Sequence, residues 1–434
     1  LAAGASQTGF GRTGTVDWEV TPQTGSFQAT NGKGYFMNTT SGALTITTPG
    51  SPSAGDIFAV ADYTRTFSTN NLTIAGHAGA KIGGIAEDAK LTVNGQSATF
   101  VYVDAAEGWI NVQETQTSQT GISDYIIASG GTITTCGDYK IHQFLSPGTF
   151  MLCQAGTPAG SNTFDYLVVG AGGAGASYAL GGGGAGGFRM AAGGLSSPCM
   201  GGAGPYPITV GGGGASGPFG GQGNRGGDSS FSSITSAGGG AGGNSPPSQS
   251  PDISAGGSGG GIGRDAYLAG RTSANNGNQP PVAPSQGSPG GVYAYSGPST
   301  LASAGGGGHS CAGGNGSPGN NGGAGGAGSP ATPVFGAAPQ PYYIANGPAN
   351  GASVCGQFAG GGGGGTYPSG GPAGAGGTGG GGNGGGGPTS TDTNNGTANT
   401  GGGGGGNYGA PGSPGCNGAA GGSGIVLIRY KFQN

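Results

Sequence analysis

Apolar residues occur in short runs, and turn residues cut the runs at close intervals. The first series occupies 16–20, 34–38, 43–47, 57–63, 72–74, 91–93, 98–103 and 109–112, with Asn31-Gly32, Ser51-Pro52 and Asn94-Gly95 among the separators. Alternation is clearest in Ala98-Thr99-Phe100-Val101-Tyr102-Val103, where every second side chain would face a core. Asn94-Gly95 suits a tight hairpin because both residues tolerate positive φ. A second series follows at 132–135, 138–145, 148–153 and 162–170, and a closing run, GIVLIRYKF, stands at 424–432. Runs at 206–210 and 230–236 read as further strands of the same sheet. The pattern predicts an all-β protein. Its organisation is an arm or linker at 1–11, a β-module at 12–114, a Thr/Ser/Gln-rich linker at 115–129, and a Gly-rich domain at 130–434. In that domain, strands within 130–170 and 424–432 frame the Gly-rich 171–423.

Composition explains why the middle needs a different kind of cohesion. The chain has 434 residues, of which 115 are Gly and 28 Pro, so about a third of it disfavours helices and regular strands. Only 23 of the glycines precede residue 170, so the flanks can build apolar cores and the middle cannot. Gly runs recur there without a fixed long period, at 170–175, 181–187, 256–263, 376–387 and 401–406 among others. Collagen is excluded, because Gly does not hold every third position. The alternative is polyglycine II: extended rods with three residues per turn, whose N–H and C=O groups pair with neighbouring rods, since without Cβ atoms the backbones approach closely. Ordering each glycine costs roughly 1 to 2 kcal/mol, which also makes a flexible linker a rival reading. Residues 165–424 contain neither Lys nor Glu, and a solvated linker has no reason to exclude both.

Candidate chemistry is sparse. Phe164 to Gly175 runs from an apolar strand into Gly170-x-Gly172-x-x-Gly175, the dinucleotide fingerprint. The helix and the acidic residue that should follow are missing, so no cofactor is expected. The six cysteines show no two-residue spacing and His77, His142 and His309 lie far apart, which argues against a metal site. No nucleophile elbow accompanies the histidines, which read as surface or edge residues, and Glu87, Asp88 and Glu107 read as solvated loop charges. The protein is not expected to be an enzyme. Lys plus Arg number 12 against 16 Asp plus Glu, without a basic block, so nucleic acid is not an expected partner. No apolar run reaches membrane length, and the N-terminus lacks the plan of a signal peptide. Cys136 and Cys153 end two strand-like runs joined through Ser146-Pro147-Gly148, leaving a cross-strand disulfide and two free thiols as equal alternatives.

Aromatics between the Gly runs are more informative. Tyr with Asn, Ser and Gly in loops makes a rigid amphipathic contact surface or a stacking platform for sugars. The loops 263–271, 290–297 and 339–344 give Arg264, Tyr267, Arg271, Tyr293, Tyr295, Tyr342 and Tyr343 as candidate receptor-binding residues. Phe188 and Tyr206 read instead as packing or turn-closing residues.

Two parts of the chain carry a family likeness. Residues 12–112, including GYFMNTTSGALTITTPGSPSAGDIFAVADY, resemble β-modules of tail-fibre and related appendage proteins of marine bacteriophages. Residues 130–434, opening GGTITTCGDYKIHQFLSPGTF, passing FDYLVVGAGG and closing GGSGIVLIRYKF, resemble the Gly-rich module ending such proteins. More loosely, this part is similar to the polyglycine-sandwich adhesins of T-even-like phages. The resemblance implies a virion fibre protein made in the host cytoplasm and usually trimeric. It would be joined to other fibre or virion proteins through its N-terminal part, and its loops would contact a host surface glycan or outer-membrane protein. It transfers no individual binding residue. The alternatives are a head fibre or capsid decoration without receptor binding, and an ice-binding polyglycine protein, for which the sequence shows no regular Ala/Thr face.

Overall fold

The computed structural model describes residues 16–113, 125–158, 160–177, 181–217, 223–243, 253–263, 272–293, 302–317, 321–343, 356–367, 371–386, 393–408 and 417–433. The chain divides into two compact units, Leu1–Tyr125 with Gly156–Gly160, and Ile126–Ala155 with Ser161–Asn434.

The first unit winds between two sheets. Its strands are β1 Asp17–Gln23, β2 Phe27–Gln28, β3 Lys33–Met37, β4 Leu44–Thr47, β5 Ile57–Asp62, β6 Leu72–Ala75, β7 Ala89–Leu91, β8 Ser97–Tyr102 and β9 Trp109–Asn111. One sheet has the order β1-β3-β5-β8-β9 and the other β2-β4-β6-β7. Alternate strands therefore lie in alternate sheets through β6, and within each sheet those early strands pair in parallel. Antiparallel β7, β8 and β9 complete the two sheets. Period-two patterning puts Met37, Ile46, Phe58, Val60, Ile74 and Phe100 into one core, closed by Trp109 against Phe58 at 5.1 Å. At the β1 edge the inward row turns polar. Lys33 bridges Asp17 at 2.6 Å and Glu19 at 2.8 Å, and Pro22 removes a donor, two devices that discourage further strand addition.

The second unit begins with a two-sheet sandwich. One sheet has the order β10-β13-β16-β17-β18 and the other β11-β12-β21-β14-β15. The strands of the first are β10 Ile126–Ser129, β13 Gly148–Ala155, β16 Gly204–Thr209, β17 Ser229–Phe231 and β18 Ile234–Ser236. Those of the second are β11 Thr132–Cys136, β12 Tyr139–Phe144, β14 Thr163–Val169, β15 Phe188–Ser196 and β21 Ile425–Lys431. Residues 126–129 were expected in the linker, yet they alternate buried and exposed and pair with β13. The runs at 206–210 and 230–236 are strands, but of the sheet opposite the closing strand.

Phe150, Phe164, Phe231, Val426, Ile428 and Tyr430 fill the space between the sheets. The outer face of β14 and β21 is covered as well. Leu167, Val169, Ile425 and Leu427 pack there against Phe335, Tyr342, Tyr343 and Phe358, on an excursion of the chain between β19 Ser329–Pro330 and β20 Gln357–Phe358. Burial on both faces is why β14 and β21 read as continuous apolar runs rather than alternating ones. Arg429 ties the layers together. Its Nε donates to Asp165 Oδ2 at 2.7 Å, while its guanidinium lies 4.5 Å from the Tyr139 ring and 5.6 Å from that of Phe335. Asp165 Oδ1 also accepts the Gly193 N–H at 2.6 Å. Replacing Arg429 with Met leaves a half-satisfied, largely buried carboxylate and is expected to cost about 3 kcal/mol, read as a lowered denaturation midpoint. An unchanged midpoint would refute this role.

The glycine passes leave the sandwich and return to it in pairs: 170–177 and 181–187, 211–217 and 223–228, 237–243 and 253–257, 258–263 and 272–278, 286–293 and 302–308, 312–317 and 321–328, 359–367 and 371–378, 381–386 and 393–397, 401–408 and 417–424. Passes 170–177, 211–217 and 237–243 continue β14, β16 and β18, whereas 181–187, 223–228 and 417–424 lead into β15, β17 and β21.

Hydrogen bonds fix the passes in all directions. In 181–187, Gly182 and Ala185 donate to Ala304 and Gly307, Gly183 and Gly186 to Gly404 and Gly401, and Gly184 and Gly187 to Gly240 and Ala237. The donors thus cycle through three neighbouring passes with a period of three residues. The carbonyls of the same pass accept from 170–177, 258–263 and 359–367, through Gly173, Gly261 and Gly362. Six different neighbours therefore surround this one pass. At Gly183 the packing requires glycine, since a methyl there would be driven into the carbonyl of Gly173, whereas Ala185 in the same pass is accommodated.

Candidate functional site

All the outbound passes end at the same side of the bundle, the one remote from the sandwich. Their ends are cross-linked: Ala176 N donates to Gly181 O at 2.8 Å, Gly243 N to Gly261 O at 2.8 Å, Ala304 N to Ile262 O at 3.1 Å, Thr366 N to Gly385 O at 3.0 Å, Gly385 N to Gly406 O at 2.9 Å and Asn407 N to Ala176 O at 3.0 Å. Side chains close further ends. Ser177 Oγ donates to Gly217 O at 3.1 Å and accepts from Gly418 N at 2.8 Å, and Asn407 Nδ2 donates to Asn417 O at 3.3 Å. The stretches joining the two members of each pair lie outside the described residues.

The candidate binding residues distribute unevenly over this frame. Arg264, Tyr267, Arg271 and Tyr295 lie outside the described residues. Tyr293 ends an outbound pass but is only 3% exposed and packs with Ile262. Tyr342 and Tyr343 belong to the opposite end. They are 2% and 4% exposed, and their hydroxyls donate to Phe335 O at 2.5 Å and Gly336 O at 2.7 Å. Their rings cover the sandwich, so, contrary to expectation, they present no solvent-facing contact surface. The misreading has a simple cause, since a Tyr-Tyr pair beside Pro reads the same in sequence whether it caps a core or decorates a loop.

The remote end does present an aromatic pair. Tyr367 and Tyr408, each half-buried, bring their ring centroids to 3.8 Å with planes at 31°. Each follows a buried polar residue that ends a glycine pass, Thr366 and Asn407, and Ser177-Tyr178 repeats the order. That recurrence of glycine run, small polar residue and tyrosine was the available signal.

Cys136 and Cys153 lie in opposite sheets and both are free, exposed thiols, so the disulfide alternative falls. The dinucleotide-like glycines form an extended pass whose N–H groups are spent inside the bundle: Gly172 donates to Gly422 O, Gly173 to Gly184 O and Gly175 to Ala419 O. Phe188 is buried and lies 4.6 Å from the His309 ring, and the Tyr206 hydroxyl closes a turn onto Met200 O and Gly202 O.

His142 is not an edge residue. It is fully buried, with Nδ1 2.7 Å from Gly130 O and Nε2 3.1 Å from the Tyr430 hydroxyl, a geometry in which Nδ1–H donates and Nε2 accepts. Burial holds its pKa below the ordinary value, helped by the charge of Lys140 and opposed by the Gly130 carbonyl, and burial lowers that of His309 too. Both imidazoles stay neutral in the fold while an unfolded chain takes up protons near pH 6.5. The stability they confer is therefore present above about pH 6.5 and lost as pH falls below it towards the folded values. The melting temperature at pH 5 is expected to lie below that at pH 7.5, with the ring proton of His142 titrating below the free-histidine midpoint. Titration at or above that midpoint would contradict the assignment.

Similarity places the second unit. A family model described as a glycine-rich domain matches residues 145–431, and the chain belongs to that glycine-rich domain family. No curated protein matches the chain.

Proposed function

We propose that the protein is a virion fibre component, a bacteriophage tail-fibre adhesin, whose glycine passes are polyglycine II rods displaying loops to the host surface. One observation carries the reading: the described ends of every outbound and returning pair, the points from which the joining segments start, lie at the side remote from the sandwich. The three-residue cycle of donors supports the polyglycine II assignment. Arg264, Tyr267, Arg271 and Tyr295 fall in those joining segments and remain contact candidates. In this reading the first unit joins the appendage, the assembly is a homotrimer, and recognition rather than catalysis is the task. Multiple weak loop contacts, repeated in each copy, would then supply avidity. Solution mass tests the trimer. Adsorption of particles whose fibres carry Gly-Ser linkers in place of 264–271 and 294–301 tests the receptor role, and undiminished adsorption would reject it.

A second reading has one specific support. On the neighbouring passes 321–328 and 371–378, the exposed positions recur every third residue, at Asn321 and Ala324 and at Pro372, Ala375 and Thr378. Such a small, regular surface fits an ice-binding role, and thermal hysteresis of the purified chain decides it.

A further inference from the structure

Resting on the adhesin reading, we infer that the remote end binds a neutral carbohydrate, with Tyr367 and Tyr408 as its stacking platform. The two rings sit at the ends of passes 359–367 and 401–408, one residue beyond positions that the bundle holds rigidly. Thr366 is 1% exposed with its N–H on Gly385 O, and Asn407 is 0% exposed with its N–H on Ala176 O. The tyrosines therefore project from fixed backbone and stack on each other at 3.8 Å, so a ligand meets them with little ordering left to do.

The chemistry of the surroundings selects the ligand class. Among the described residues that end passes at this side (Ser177, Ile253, Thr272, Ala302, Ser317, Asn321, Thr393 and Asn417 with the tyrosines and glycines), none is charged. The segments that follow the two tyrosines, 368–370 and 409–416, are uncharged in sequence as well, so the pair itself offers no counter-charge to an ionic headgroup or a charged peptide, while Arg264, Asp265 and Arg271 belong to another joining segment. A pyranose offers what the end can use: an axial C–H face to lie on a tyrosine ring, whose π-face is electron-rich, and hydroxyls to pair with main-chain groups at the rim. A protein receptor is the competing partner; it would engage a broad interface of at least about 1,000 Å², whereas a single pyranose needs only the ring platform.

The test uses the full chain and two independent readouts. On a printed array of neutral hexose and N-acetylhexosamine glycans, the chain is expected to bind a subset, and the double variant Tyr367→Ala/Tyr408→Ala to bind that subset at least tenfold more weakly with its melting temperature within about two degrees. The single Phe variants, which keep the rings, are expected to retain most of the binding. On cells that the chain adsorbs to, periodate is expected to abolish adsorption and proteinase K to leave it intact. Silence on the array combined with cell binding that resists periodate overturns the inference, as does an undiminished signal from the double Ala variant. Adsorption destroyed by proteinase K alone leaves the adhesin reading standing and removes only the carbohydrate. Absence of binding to both array and cells rejects the two together.

Discussion

Removal of residues 425–434 is expected to abolish folding of the second unit and leave that of the first unit intact. β21 is the third of five strands in its sheet, paired with β12 from Tyr139↔Lys431 to Phe144↔Val426 and with β14 from Asp165↔Arg429 to Val169↔Ile425. Its side chains feed two cores at once, Val426, Ile428 and Tyr430 inward and Ile425 and Leu427 outward. Each of these five is no more than 1% exposed. At about 2 kcal/mol for each buried apolar side chain, their loss alone is on the order of 10 kcal/mol, comparable to the whole net stability of an ordinary domain. Calorimetry is expected to show two transitions for the full chain and one for the truncated chain. Survival of the second transition would mean that β21 is peripheral.

The second large effect is a single methyl group. Gly183→Ala places a Cβ against the carbonyl of Gly173 and within 2.9 Å of Ala174 C, backbone atoms held by their own hydrogen bonds, so neither side can yield cheaply. A cost of about 3 kcal/mol or more is expected, at the upper end of overpacking. Gly212→Ala is the matched control. It is exposed, and its Cβ would meet nothing within 4 Å, so the restricted unfolded chain should gain about 0.4 to 1 kcal/mol. Ala185, fully buried two residues from Gly183, shows that position and not glycine content decides the sign. Equal denaturation midpoints for the two variants would show that the passes are not close-packed.

The strands were legible because their signals are local. Phe100 between Thr99 and Val101, or Ile46 between Thr45 and Thr47, alternates at the pleat period, and the turn residues mark the ends. GIVLIRYKF was likewise readable as a strand. Its place between β12 and β14, more than two hundred residues upstream, was not, since pairing partners leave no local trace. The remote end was half legible. Gly runs announced close backbone packing, but every run looks alike, so which end a loop occupies depends on counting passes through the bundle. Tyr342 and Tyr343 were lost that way, because the excursion carrying them departs at the sandwich side. His142 hid for a similar reason: a polar residue in a strand next to Gln143 gives no hint that Tyr430 will cover it.

The cyclic pairing of 181–187 with six neighbours has a mechanical consequence. A load on a joining segment acts along the pass, at right angles to the bonds that hold it. Those bonds are then strained in parallel by shear, and none can be peeled away singly as at the edge of a hairpin. A sheet resists such pulling only within its own plane, whereas here the resistance is shared around the whole circumference of the rod, so an anchored far end could transmit force to the sandwich without unravelling first.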